Sequence, residues 1–252
     1  LAIMAMLVAD VYIIIGDDRQ LPPVLLSKPV WDAKSYGIFQ HLSRTAELVQ
    51  LSVSYRMNAA ICGWVSQAFY LGDLEPHPRN ANRVLQLGSA ESAPWLNAAI
   101  EPERSIVWIP GEERMTQKHS AEEAVAVVQL VVALFRRGVA LNEIVVLTPF
   151  RRQARLIRKR LQQSPDLDSG ESAALVVDTV ERMQGQERPV TIISMAASDA
   201  GFIGAVESFL FLPARLNVMV SRARSKVIIL AADALLEHHS MEPEINEAIA
   251  IW

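Results

Sequence analysis

Short β-branched runs and amphipathic stretches alternate along most of this chain. Val11 to Ile15 is β-branched and aromatic and stops at Gly16-Asp17-Asp18, the pattern of a buried parallel strand running into a loop. Pro22-Pro23 then forces an extended segment. Within 52–70, Ile61, Trp64, Val65, Ala68 and Phe69 recur at helical spacing, with Asn58 as a possible N-cap and Gly72 just past the end. The stretch 73–111, rich in Pro, Asn and Glu, offers one short strand, Ile106 to Ile109, and otherwise reads as irregular. Ser120 and Glu123 form a capping box ahead of Ala124, Val127, Val128, Val131, Leu134 and Phe135, and Arg136-Arg137-Gly138 ends that helix. From there the rhythm is strand, helix, strand, strand, helix, strand, over 144–148, 151–162, 175–178, 190–195, 214–224 and 227–231. The pattern predicts an α/β fold, a parallel sheet flanked by helices on both faces. In such folds ligands are expected beyond the carboxyl ends of the strands.

Composition narrows the possibilities without naming an activity. The 252 residues are 51% hydrophobic and 21% charged, enough for one large domain or two modest ones, and incompatible with a disordered or low-complexity scaffold. Lys plus Arg number 24 against 28 Asp plus Glu, so no global basic field exists and any polyanion site must be local. A single cysteine, Cys62, excludes an internal disulfide framework or a cysteine-based zinc site, and the histidines lack ligand spacing. The apolar opening, Leu1 to Ile15, is interrupted by Asp10 and is too short to cross a bilayer, so neither a signal peptide nor a membrane span is expected. These features suit the cytoplasm. A first residue already inside an apolar run suggests a piece of something longer that begins within a folded unit.

Four polar clusters stand out against this frame. Gly16-Asp17-Asp18-Arg19-Gln20-Leu21-Pro22-Pro23 follows the first strand, and an Asx-type turn explains it as readily as a site. Asp178-Thr179-Val180-Glu181 leads to Gln184-Gly185-Gln186-Glu187, where glycine would let the backbone approach a ligand. The predicted helix 214–224 carries Arg215, Arg222 and Arg224, which need anionic partners if buried, whether phosphate or acidic side chains. Six of the ten residues from Arg151 to Arg160 are basic, with Ala154, Ile157 and Leu161 as a narrow apolar stripe. That helix presents either a solvated charged face or one that follows a phosphate backbone. No G-x-S-x-G elbow and no G-x-x-x-x-G-K-[ST] phosphate loop occurs in the 252 residues.

In order, these segments resemble the superfamily 1 helicases, in the branch with the nonsense-mediated-decay helicase and the replication helicase-nuclease. The matching pieces are Gly16 to Pro23, Tyr55-Arg56-Met57-Asn58, Leu147-Thr148-Pro149-Phe150 with Gln153, Asp178 through Glu187, and Arg215-Leu216-Asn217-Val218-Met219-Val220-Ser221-Arg222-Ala223-Arg224. Departures are mild: the family often has His at Asn58, Tyr at Phe150 and Thr at Ser221. The resemblance implies a RecA-like P-loop NTPase fold, with 1–45 as the tail of a first RecA-like domain and 46–252 as the second, which lacks the phosphate loop itself. It implies a C-terminal helicase part that couples ATP hydrolysis to translocation on single-stranded DNA or RNA, working with an N-terminal RecA-like domain of the same protein. The piece alone is expected to be inactive, with Mg2+ ligands upstream of it. By the same likeness Gln20, Arg56 and Arg222 are the catalytic candidates, and Tyr55, Glu187 and Asp17 the nucleotide-facing ones. Thr148, Pro149, Phe150 and Thr179 would lie along the strand groove, and the basic helix adds Arg151 and Arg155 as phosphate contacts. The alternative is a RecA-like binding module without turnover.

Overall fold

The five β-branched runs predicted between 106 and 231 pair into one parallel sheet in the computed structural model, which describes residues 11–21, 39, 42–43, 48–183 and 185–251. The chain forms two compact units, 1–51 and 52–252. In the second, a two-residue ladder of β1 (Val53–Ser54) and β2 (Glu75–Pro76) precedes the sheet. The main strands are β3 (Ile106–Gly111), β4 (Ile144–Thr148), β5 (Val176–Thr179), β6 (Arg188–Ser194) and β7 (Ala223–Ala232), ordered β3-β7-β6-β4-β5. The helices that matter here are α1 (Ala59–Phe69), α2 (Pro94–Ile100), α3 (Ala121–Arg136), α4 (Arg151–Gln162), α5 (Ala200–Ala205), α6 (Glu207–Leu210) and α7 (Pro213–Ser221).

Burial on both faces explains why the strands read as continuous apolar runs and not as alternating ones. Ile144, Val146, Val190, Ile192, Ile228 and Leu230 share a core with Val127, Leu130, Val131 and Leu134 of α3 and Ala154, Ile157 and Leu161 of α4. The alternate residues Val145, Leu147, Ile193, Val227 and Ile229 are also buried, and α1 and α7 pack on the sheet as well. Asn58 caps α1 as predicted, its Oδ1 accepting from Ile61 N at 3.1 Å. Its amide also donates to Ser105 Oγ and to the carbonyls of Arg83 and Ser225, fastening the helix start to the β7 region.

Three expectations need correction. Val11 to Ile15 is not a strand: no ladder is formed there among the described residues, and Ile13 is 90% and Ile15 85% exposed. A β-rich run without a neighbouring strand has no ladder to join. Pro22 and Pro23 lie outside the described residues. The helix predicted over 214–224 stops at Ser221, because Arg188 N donates to Arg222 O at 2.9 Å and Ala223 pairs with Arg188, drawing the backbone into β7. Residues 73–111 hold more than one strand: α2, opened by Pro94 at its first turn, buries Ala99 and Ile100. The ammonium of Lys226, fully buried on β7, donates to the carbonyls of Glu101 and Arg104 just after that helix, and burial brings its pKa down to about 8.

Candidate functional site

Side chains with the chemistry of a phosphate site gather at the amino edge of the sheet. Glu187 and Arg222 are the residues immediately before β6 and β7, and the segment preceding α1 lies alongside, with Asn58 N donating to Arg224 O at 3.0 Å. Arg56 therefore meets Glu187 across 131 residues of chain: its Nε donates to Glu187 Oε2 at 2.8 Å, and its Nη1 to the Ser221 carbonyl at 3.0 Å. Arg224 approaches the other Glu187 oxygen at 4.0 Å. Arg188 donates to the Glu187 carbonyl at 2.8 Å and to Gln186 Oε1 at 3.2 Å. Two guanidiniums thus share the Glu187 carboxylate while a third, that of Arg188, holds the backbone beside it, and the Nε atoms of Arg188 and Arg224 are buried without a hydrogen-bond partner. Such a cluster has spare donors and spare positive charge, which suits a phosphate oxygen.

Arg222 is turned inward and 1% exposed. It donates to the carbonyls of Val218 (3.1 Å) and Gln186 (3.3 Å) and to Ser221 Oγ (3.1 Å). Tyr55 is 69% exposed and stacks on His77 with ring centroids 4.3 Å apart. Arg215, by contrast, has a carboxylate of its own: Glu181 Oε1 accepts from its Nη2 at 2.9 Å, and its guanidinium lies 3.9 Å from the Phe209 ring centre. Burial pushes the Glu181 pKa up, but a backbone hydrogen bond and Arg215 outweigh it, and the net shift is downward. Gln184 lies outside the described residues, while Gly185 takes φ +84°, a conformation glycine adopts without strain.

The strand candidates occupy the opposite, carboxyl edge. Thr148 and Thr179 end neighbouring strands and are register partners, both buried. Pro149 is buried too, and Phe150 is covered by Phe202 and Phe209, with ring centroids 5.8 and 5.7 Å away. Arg151 and Arg155 are exposed on α4. In the separate unit 1–51, Asp17 Oδ1 accepts from Arg19 N at 2.9 Å and its Oδ2 from Gln20 Nε2 at 2.6 Å, an Asx-type turn.

Half of the expected capping box forms. Ser120 Oγ accepts from Glu123 N at 3.0 Å, but Ser120 N donates to Gln153 Oε1 instead of to Glu123. The Glu123 carboxyl is buried beside the end of β6, accepting from Ser194 Oγ at 2.6 Å and from Ala196 N at 3.0 Å. Ala196 holds φ +63° to aim that N–H. Burial pushes the Glu123 pKa up to about 7, against the opposing pull of these two hydrogen bonds. Sequence reading missed this acid because a glutamate three residues after a serine suits the cap equally well. It also missed Arg188, whose signal was its place directly after Gln-Gly-Gln-Glu.

The family model described as "AAA domain" matches residues 35–234. The chain belongs to that family. This AAA domain is 29% identical over 246 residues to the DNA replication ATP-dependent helicase/nuclease DNA2 of Bos taurus, covering 87% of this chain and 22% of that protein. It is 30% identical over 238 residues to the ATP-dependent helicase NAM7 of Saccharomyces cerevisiae, covering 91% of this chain and 23% of that one. The AAA domain therefore spans under a quarter of the length of the curated relatives it matches, in their C-terminal region. A solved C-terminal domain of a possible DNA helicase from Lactobacillus plantarum aligns with TM-score 0.41 and 12% identity, over 77% of this chain and 94% of that one. No helix of the described residues is long and apolar enough to cross a membrane.

Proposed function

We propose that this chain is the C-terminal part of an ATP-dependent superfamily 1 helicase, which couples ATP hydrolysis to movement along single-stranded DNA or RNA. In this reading residues 1–45 are the tail of a first RecA-like domain and 46–252 the second. The observation that carries it is the amino-edge cluster, where Arg56 and Arg224 share the Glu187 carboxylate, Arg188 holds the adjoining backbone and two buried Nε atoms are unused. ATP supplies the anion: its γ-phosphoryl carries charge that a guanidinium fork stabilises as it transfers. Arg56 and Arg222 take that role. Arg222 must first release the Val218 and Gln186 carbonyls, so its engagement is coupled to a local rearrangement. Glu187 exchanges Arg56 for the ribose hydroxyls, and Tyr55 offers its exposed ring to the base. Gln20 and Asp17 serve the attacking water from the first domain. The phosphate cradle comes from an N-terminal RecA-like domain of the same protein. Among the described residues no three His, Cys, Asp or Glu side chains lie together as a metal site would need.

At the carboxyl edge, Thr148, Pro149, Phe150 and Thr179 border the strand and the α4 arginines neutralise its phosphates. The test is ATP hydrolysis by the complete protein, with and without single-stranded DNA or RNA. Strand-stimulated turnover that disappears in Arg222→Ala supports a motor. Strand binding with no turnover in the wild type would leave a binding module instead.

A further inference from the structure

Phe150, the aromatic residue that the sequence offers to a strand, is 8% exposed and cannot present a ring face. What covers it can. Phe202 of α5 is half-buried, one side on Phe150, and the exposed Lys118 holds its ammonium 5.9 Å from the Phe202 ring centre. Lys118 lies in the loop 112–119 after β3 and Phe202 on α5, which follows the loop 195–199 after β6, and the two loops are fastened together. Thr116 N donates to Ser198 Oγ at 3.0 Å, the two hydroxyls lie 2.7 Å apart, and the Thr116 carbonyl accepts from the N–H groups of Ser198 and Asp199 at 2.9 Å each. The two loops are thus held together beyond the carboxyl ends of β3 and β6, on the edge that carries Thr148 and Thr179.

Arg151 follows Phe150 directly and is exposed. The nearby carboxylates are occupied with donors: Asp199 caps Phe202 N at 2.6 Å, and Glu113 accepts from Ser120 Oγ at 2.6 Å and Glu122 N at 3.1 Å. An aromatic face with an exposed cation at its rim matches one nucleotide, whose base has a π-face and whose phosphate is the anion.

We propose that Phe202 and Lys118 form a stacking site for one nucleotide of a single strand, Phe202 taking the base and Lys118 the adjoining phosphate. The proposal rests on the strand-binding reading above. Binding of fluorescent oligo-dT, oligo-U and an abasic strand of equal length to the complete protein tests it, and the better of the first two identifies the sugar. Phe202→Leu keeps the apolar contact with Phe150 but removes the ring, and should weaken the base-bearing strands about tenfold while binding the abasic strand as the wild type does. Lys118→Gln should lower the logarithmic salt slope by about 0.7, the value for one phosphate contact on a single strand. If Phe202→Leu binds every strand like the wild type, or loses the abasic strand equally, the stacking site is wrong although the strand-binding reading stands. If the wild type binds none of the three, both fall.

Discussion

The two edges of one sheet differ in kind. At the amino edge, Arg56, Arg188, Arg222 and Arg224 close around Gln186 and Glu187, and Arg56 brings its hydrogen bonds from more than a hundred positions away in the chain. At the carboxyl edge, threonines end two strands, aromatic rings pack above them, and arginines project into solvent from α4. One edge is a cationic knot with donors to spare, suited to a compact, highly charged group. The other sets a half-buried ring and exposed cations over buried threonines, a longer border suited to a polymer. The first exists because Glu187 and Arg222 directly precede their strands and α1 starts beside β7, so a phosphate-seeking cluster forms where no β–α loop is needed. The segment 180–187 runs from Thr179 at one edge to Glu187 at the other, and Glu181 ties it to α7 through Arg215.

Substitutions at the two edges should therefore have different consequences. The largest effect is expected from Arg222→Ala in the complete protein, which should lower kcat for ATP hydrolysis roughly 10³-fold, the scale of an arginine that stabilises a transferring phosphoryl group. Near-normal turnover in steady-state assays would leave the knot a purely structural feature. Next comes the buried acid of the carboxyl edge. Glu123 titrates at about 7 when folded against 4.5 as its ordinary value, so the native state keeps a proton that the unfolded chain releases. Its contribution is complete below about pH 4.5 and is lost as pH rises through 7, a change of up to about 3 kcal/mol. Urea unfolding across that range should show wild-type stability falling with pH and a flatter profile for Glu123→Gln; parallel profiles would mean that the carboxyl is ionised throughout.

A smaller effect is expected from Arg151→Glu with Arg155→Glu, which should weaken single-strand binding about tenfold at low salt and flatten its salt dependence. An unchanged slope in a salt titration would return α4 to an ordinary solvated face. The smallest is Glu187→Gln, which should raise KM for ATP by about threefold with little change in kcat, as expected for loss of a ribose contact and not of a transition-state one. A fall in kcat as large as that of Arg222→Ala would instead make Glu187 part of the machinery that positions Arg56.

Much of this architecture was legible beforehand, for identifiable reasons. Strands buried on both faces announce themselves as unbroken β-branched runs, as at Ile144–Thr148, and amphipathic helices by period, as at Arg151–Gln162. The end of α7 was not legible, since Arg222 and Ala223 are acceptable helix residues and only the pairing of Arg188 with Ala223 stops the helix. Nor was Val11 to Ile15, whose strand-like composition forms no ladder among the described residues.

The sequence by itself determined the alternation of elements, the caps at Asn58 and Ser120, and the motif order that marks the family, because these depend on residues close together in the chain. Tertiary structure alone decided which arginines share Glu187, why Phe150 is covered while Phe202 is half-exposed, and where the Glu123 carboxyl points. Those outcomes depend on which distant segments occupy the same few cubic ångströms. Local propensity carries no information about that, and burial, charge and hydrogen-bond satisfaction settle it only once the sheet has closed.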